Sequence, residues 1–240
     1  MDKISLYGVR LERMSKKGAE DKICRSLKRN GQTVVFTPNL QMISAAKTDV
    51  RLCVLLNSAD ILLPDGVGIN LLCKGLGLPP FERITGIDTA FGLLSYAAAR
   101  GYRVFLLGGQ RGVAALAARK LRKKLPSLCV CGTHHGYFDK KRESPQNQAV
   151  LKKIKQARPD ILFVCLGFPT QEAWINQIAR LLPDVKLFMG LGGSLDVWSG
   201  RLCRAPRLVQ RMKLEWLWRC ICEPKRFLPL IKACISLKKR

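Results

Sequence analysis

Two stretches constrain the fold more than any others: "DILFVCLGFP" at 160–169 and "VKLFMGLGG" at 185–193. Each is an almost unbroken apolar run of strand length that ends in Gly or Pro. A strand with one wet face alternates apolar and polar residues, and a strand covered on both faces does not. Runs of this kind belong inside a parallel sheet with helices on both sides. "TVVFTPN" (33–39), "ILLPDG" (61–66) and "YRVFLLGG" (102–109) also read as strands, and "LCVCGTHHGY" (128–137) is a further candidate. Between them lie helical patterns. "RGVAALAARKLRKKLP" (111–126) carries its basic residues late, where they favour the negative end of the helix dipole. "TGIDTAFGLLSYAAARG" (85–101) predicts a helix with Thr85 as its cap, Asp88 in the first turn and Gly101 as its stop.

Alternating strands and helices predict right-handed βαβ units. The fold class that follows is α/β: a Rossmann-like open, mostly parallel sheet with helices on both faces, plus a helical C-terminal appendage. The 240 residues, 48% of them hydrophobic, are enough for a large core. The division expected is a core over 1–200 and a basic, amphipathic appendage over 201–240. Ligands in such sheets bind beyond the C-terminal strand ends. That rule gathers Thr37 and Asn39, Asp65, Gly108-Gly109-Gln110, Pro169-Thr170-Gln171 and Gly192-Gly193-Ser194 on one rim.

Each rim stretch also has a plain structural reading. Asp65 stands where an apparent strand gives way to an apparent helix, so it is either a helix cap or a base. "LLGGQRG" (106–112) is either a tight turn or a phosphate cradle at a helix N-terminus; it is neither GxGxxG nor a Walker A loop. In "GFPTQEAW" (167–174) Thr170 fits an N-cap, and Gln171 is suited to a sugar or a phosphate.

The formal charge of +25 directs the chain toward polyanions. Residues 201–240 hold 12 Lys and Arg against 2 Glu, in a stretch also rich in Trp, Phe, Leu and Ile. Such a segment suits a membrane interface, and it equally suits a helix packed on the body with a solvated basic face. No RRM, KH or zinc-finger pattern is present, so no nucleic-acid partner is expected. The ten cysteines include no CxxC pair and there are only two His, so reduced, mostly core thiols and no metal site are expected. Neither a signal-peptide pattern nor an apolar run of about 18 residues is present, which points to the cytoplasm and to no membrane span. No DxD triplet occurs to hold a divalent cation on a diphosphate, which leaves that task to basic groups, the tail above all.

"TPNLQMI" (37–43), "LLPDGVGI" (62–69), "RITGIDT" (83–89), "FLLGG" (105–109), "GYFD" (136–139), "LGFPTQEAWI" (166–175), "GLGGSLDVWSG" (190–200), "RAP" (204–206) and "LEWLWRCICEPKRF" (214–227), in this order, resemble the WecG/TagA/CpsF glycosyltransferases. The resemblance implies an inverting transferase that moves a sugar from a UDP-sugar to polyprenyl-diphosphate-linked GlcNAc. The sugar is N-acetylmannosamine in the teichoic-acid branch, and N-acetylmannosaminuronic acid or a hexose in others. Some relatives act in two-component systems, so a non-catalytic partner of another transferase subunit is an alternative, one that the retained Asp65, Thr37, Asn39 and Gln171 argue against. The resemblance makes Asp65 the base and places Thr37 and Asn39 in the sugar pocket. Gly108, Gly109, Tyr137, Gln171, Gly193 and Asp196 would surround the nucleotide and diphosphate, with Arg219 and Arg226 of the appendage completing the site. It implies neither cofactor nor metal. It also implies a protein peripheral to the inner face of the plasma membrane, docked on anionic lipid through its tail. Apolar helical faces leave a homo-oligomer open.

Overall fold

The computed structural model describes residues 3–212, 214–224 and 227–238, without the side chains of 207, 219, 234 and 238. The chain opens with a β-hairpin, β1 (Lys3–Leu6) paired antiparallel with β2 (Val9–Glu12), which the apolar patterning had not predicted. Its two-residue turn, Tyr7-Gly8, has positive φ at both positions. That geometry matches the twist of the flanking strands. Helix α1 (Lys16–Ser26) follows, capped by the Ser15 hydroxyl, which accepts from Gly18 N at 3.0 Å.

Six strands then form one sheet: β3 (Thr33–Phe36), β4 (Ile61–Leu62), β5 (Arg103–Gly108), β6 (Cys129–His134), β7 (Ile161–Cys165) and β8 (Leu187–Gly190), in the order β4-β3-β8-β7-β5-β6. Every pairing in it is parallel. Crossovers run through α2 (Leu40–Thr48), α3 (Val50–Asn57), α4 (Val67–Gly75), α5 (Gly86–Arg100), α6 (Val113–Lys124), α7 (Pro145–Ala157) and α8 (Thr170–Ile178). The short α9 (Ser194–Trp198) follows β8.

The unbroken apolar strands are buried on both faces. Along β7, Ile161 and Phe163 pack with α1, α5, α6 and α9 on one side, while Leu162 and Val164 pack with α2, α4, α7 and α8 on the other. All five β7 residues are buried, and Phe163 has no exposed surface. Trimming Phe163 to Ala would therefore cost about 3–5 kcal/mol. The edge strands β4 and β6 are shorter or wetter, as expected where one side lacks a neighbour.

Beyond residue 200 come α10 (Arg207–Arg211), α11 (Glu215–Cys222) and α12 (Phe227–Lys238). Helix α12 returns to the body against α2. The Tyr7 hydroxyl donates to the Leu237 carbonyl at 3.2 Å, and Lys47 Nζ donates to the Ser236 carbonyl at 2.8 Å. Ala233 is buried in that contact, while Leu228 and Ile235 face outward. Among the described residues no helix is long and apolar enough to cross a membrane.

Candidate active site

Because all six strands run the same way, their C-terminal ends share one edge of the sheet. Two adjoining cavities open there, of about 410 and 690 Å3, with Gly193 in the wall of both.

Asp65 lies on the smaller one. Leaving β4, the chain stays beside the segment that leaves β3: Leu63 N donates to Phe36 O, and Asp65 N donates to Pro38 O at 2.8 Å. On its other side Asp65 forms a parallel bridge with Ile84. The carboxylate is therefore carried on backbone held from both flanks. The N-cap of α4 is Gly66 at φ +89°, a left-handed conformation that suits glycine. Asp65 thus stands one residue before the N-cap position of α4. Thr37 and Asn39 line the same cavity. Asn39 also caps α2, its Oδ1 accepting from Met42 N at 3.1 Å.

The far wall of this cavity brings together residues that the sequence reading had not singled out for chemistry. Arg204 Nη1 and Nη2 grip Asp88 Oδ1 and Oδ2 at 2.6 and 2.7 Å. The Thr85 hydroxyl donates to Asp88 Oδ2 at 2.5 Å. Thr85 does hold the N-cap position of α5, but its side chain caps no backbone N–H. Burial works to raise the Asp88 carboxyl, yet the hydrogen bonds from Arg204 and Thr85 outweigh it and leave Asp88 below the usual carboxylate range. The hydrogen bond to Asp88 in turn raises Arg204. Arg83 also lines the cavity, with Nη2 on Glu215 Oε2 at 3.0 Å. Nothing in the sequence pairs Arg204 with Asp88, 116 positions away. The one available signal is that both sit inside the motif stretches "RITGIDT" and "RAP".

Trp216 and Cys220 of α11, Leu230 of α12 and Leu71 of α4 supply an apolar side to the same cavity. Its lining is therefore charged and hydroxyl-bearing on one part and apolar on another.

The larger cavity is lined by Gly109, Tyr137, Gly193 and Asp196, and by Gly136, Lys140, Gln146 and Thr170. Tyr137 is exposed. Lys140 Nζ donates to the Gly136 and Phe138 carbonyls at 2.8 Å each, and burial lowers its affinity for a proton.

Two of the expected residues are placed behind the cavities. Gly108, at φ +136°, lies so close to β7 that a Cβ would sit 2.1 Å from the Cys165 carbonyl oxygen; it lets the strands meet. Gln171 is buried: its Oε1 accepts from Gly192 N at 2.9 Å and its Nε2 donates to Glu172 Oε1 at 2.8 Å. It holds the Gly192-Gly193 wall from behind. Thr170 is the first residue of α8, whose N-cap is Pro169, which corrects the capping assignment. Arg219 lies in α11 with its side chain outside the described atoms, and Arg226 lies outside the described residues. Among the described residues no His, Cys, Asp and Glu cluster suited to a metal ion is found.

Sheet, rim and paired cavities define an open α/β protein with its candidate ligand sites at the C-terminal strand ends. The chain belongs to the WecG/TagA/CpsF family of glycosyl transferases, whose family model matches residues 4–234. It is similar to the N-acetylglucosaminyldiphosphoundecaprenol N-acetyl-beta-D-mannosaminyltransferase of Bacillus spizizenii, 35% identical over 201 residues that cover 84% of this chain and 76% of that protein. The like-named proteins of Bacillus subtilis and Staphylococcus aureus are 34% identical over 209 residues and 33% over 211, covering 86% of this chain and 79% and 80% of theirs.

Proposed function

We propose that this glycosyltransferase moves N-acetylmannosamine from UDP-N-acetylmannosamine to polyprenyl-diphosphate-linked GlcNAc, in making the linkage unit of a cell-wall polymer. The names of its relatives support the acceptor and the sugar. The observation that carries the mechanism is the placing of Asp65, on backbone held from both sides, in a cavity it shares with Thr37, Asn39, Arg83 and Arg204.

In this reading the larger cavity takes the nucleotide, among Gly109, Tyr137 and Asp196. The sugar crosses the Gly193 wall toward Thr37 and Asn39. Asp65 removes the proton from the acceptor hydroxyl as that oxygen bonds to the anomeric carbon. The bond from that carbon to the diphosphate breaks with its electron pair, and UDP leaves from the opposite face, inverting the configuration. General-base help of this kind is worth about 10²–10⁴-fold. Guanidinium and backbone N–H groups, in place of a divalent ion, neutralise the departing diphosphate. The apolar part of the smaller cavity, at Leu71, Trp216 and Leu230, takes the first isoprene units of the acceptor. Outward-facing Leu208, Met212, Ile221, Phe227 and Leu228, on a segment rich in Lys and Arg, dock the protein on the anionic inner face of the membrane.

The test is UDP release from UDP-N-acetylmannosamine with a polyprenyl-diphosphate-GlcNAc analogue, in EDTA. Acceptor-dependent release that survives EDTA is the expected result. Release only with another UDP-sugar would reassign the donor, and loss of release in EDTA would bring a metal into the mechanism.

A further inference from the structure

Three chain segments converge on one carboxylate in the wall of the Asp65 cavity. Arg83 comes from the turn before α5, Arg204 from the stretch between α9 and α10, and Glu215 is the first residue of α11. Arg83 Nη2 donates to Glu215 Oε2 at 3.0 Å, and its Nη1 donates to the Gln210 carbonyl. One guanidinium of the sheet body thus holds both α10 and α11. From the other side, Arg204 Nε lies 3.7 Å from Glu215 Oε1, while both its Nη atoms grip Asp88. The Glu215 side chain is only 12% exposed, so the pairing is shielded from bulk water and from salt.

Among the described side chains of the helix that Glu215 opens, Cys220 is buried, but most of the large apolar ones are not. Leu217 and Ile221 face solvent, Trp216 is 41% exposed, and the Trp218 indole bonds to the Cys203 carbonyl, which belongs to the same C-terminal stretch. Yet Trp216 and Cys220 form part of the wall that closes the Asp65 cavity. A wall on such a helix is present only while the helix is docked, and apparent affinity falls in proportion to the docked fraction.

We infer that Glu215 is a positioning residue: held between Arg83 and Arg204, its carboxylate sets α11 over the Asp65 cavity before the acceptor arrives. The kinetic arm of the test rests on the transferase reading above, and the spectroscopic arm does not. Full-length wild type, Glu215→Gln and Glu215→Asp are compared in two ways. One is kcat and KM for a GlcNAc-diphosphate acceptor with a short soluble lipid; the other is acrylamide quenching of tryptophan fluorescence without substrate. Glu215→Gln is expected to raise the acceptor KM about tenfold with kcat within about twofold, because substrate still selects the docked helix. Quenching is expected to increase, with Glu215→Asp, which keeps the charge, falling between the other two. If Glu215→Gln leaves KM and quenching at their wild-type values, the inference is wrong. A fall in kcat with unchanged quenching also overturns it, since Glu215 would then act in the chemistry. If the wild type transfers nothing, the proposed function fails, and quenching alone still decides whether Glu215 docks α11.

Discussion

The two cavities share the residue Gly193 and little else in their construction. The larger is walled by loops at the ends of β5, β6, β7 and β8, all from residues 109–196, so it exists as soon as the sheet folds. The smaller is lined from the ends of β3, β4 and β8 and the start of α5, and also from residue 202 onward. One is preformed and the other is assembled. Ligand binding in the first depends on the sheet, and in the second also on where α10 to α12 lie. On the proposed reading, in which a soluble donor meets a lipid-linked acceptor, that division puts the adjustable half on the acceptor side.

The largest expected effect separates chemistry from nucleotide binding. Asp65→Asn should lower turnover at least about 100-fold while UDP affinity, by calorimetry, stays within about twofold. Loss of UDP binding in this variant would mean that the cavities are not independent. Next, Arg204→Lys gives up the two-pronged grip on Asp88, and kcat/KM should fall about tenfold with UDP binding intact. Lys140→Met acts on the other side. It should weaken UDP binding about tenfold, the worth of one charge-assisted hydrogen bond, without changing the acceptor KM. A change in acceptor KM instead would reverse the assignment of the two cavities.

The smallest effect concerns the wall between them. Glu172 is buried, its Oε2 meets no hydrogen-bond partner among the described residues, and burial pushes its carboxyl above the ordinary 4.5. The folded chain then holds that proton more tightly than the unfolded chain does. The resulting stability is complete below the unfolded value and is lost as pH rises through the raised folded one. Glu172→Gln does not titrate, so its melting temperature should gain on wild type as pH rises above the ordinary 4.5 of a glutamate. A constant difference over that rise would show that Glu172 is not paying a burial penalty.

What the sequence made legible follows the period of the signal. The unbroken runs at 160–169 and 185–193 became β7 and β8 because only a doubly covered strand can bury every side chain. The rim followed from strand direction alone. The hairpin at the start escaped because its strands are four residues each and mix charged with apolar positions. Gln171 stands at a strand-to-helix junction, where ligand contacts are common, but nothing local says that its amide turns inward to Gly192. The Asp88–Arg204 and Arg83–Glu215 pairs were hidden for a related reason. Each joins residues more than a hundred positions apart, and no periodicity spans that distance.

One consequence follows from the way α12 is moored to Tyr7 and Lys47. Helix α11 is not the end of a loose tail; it is a span pinned on both banks, by α9 and its neighbours upstream and by α12 downstream. When Glu215 lets go, such a span lifts like a drawbridge and cannot drift away. Its return is an intramolecular step, favoured over the meeting of two separate molecules by its tethering at both ends. Because closing a loop grows costlier only slowly with its length, by about 0.6 kcal/mol per doubling, lengthening the stretch on either side of α11 would weaken that return only slightly.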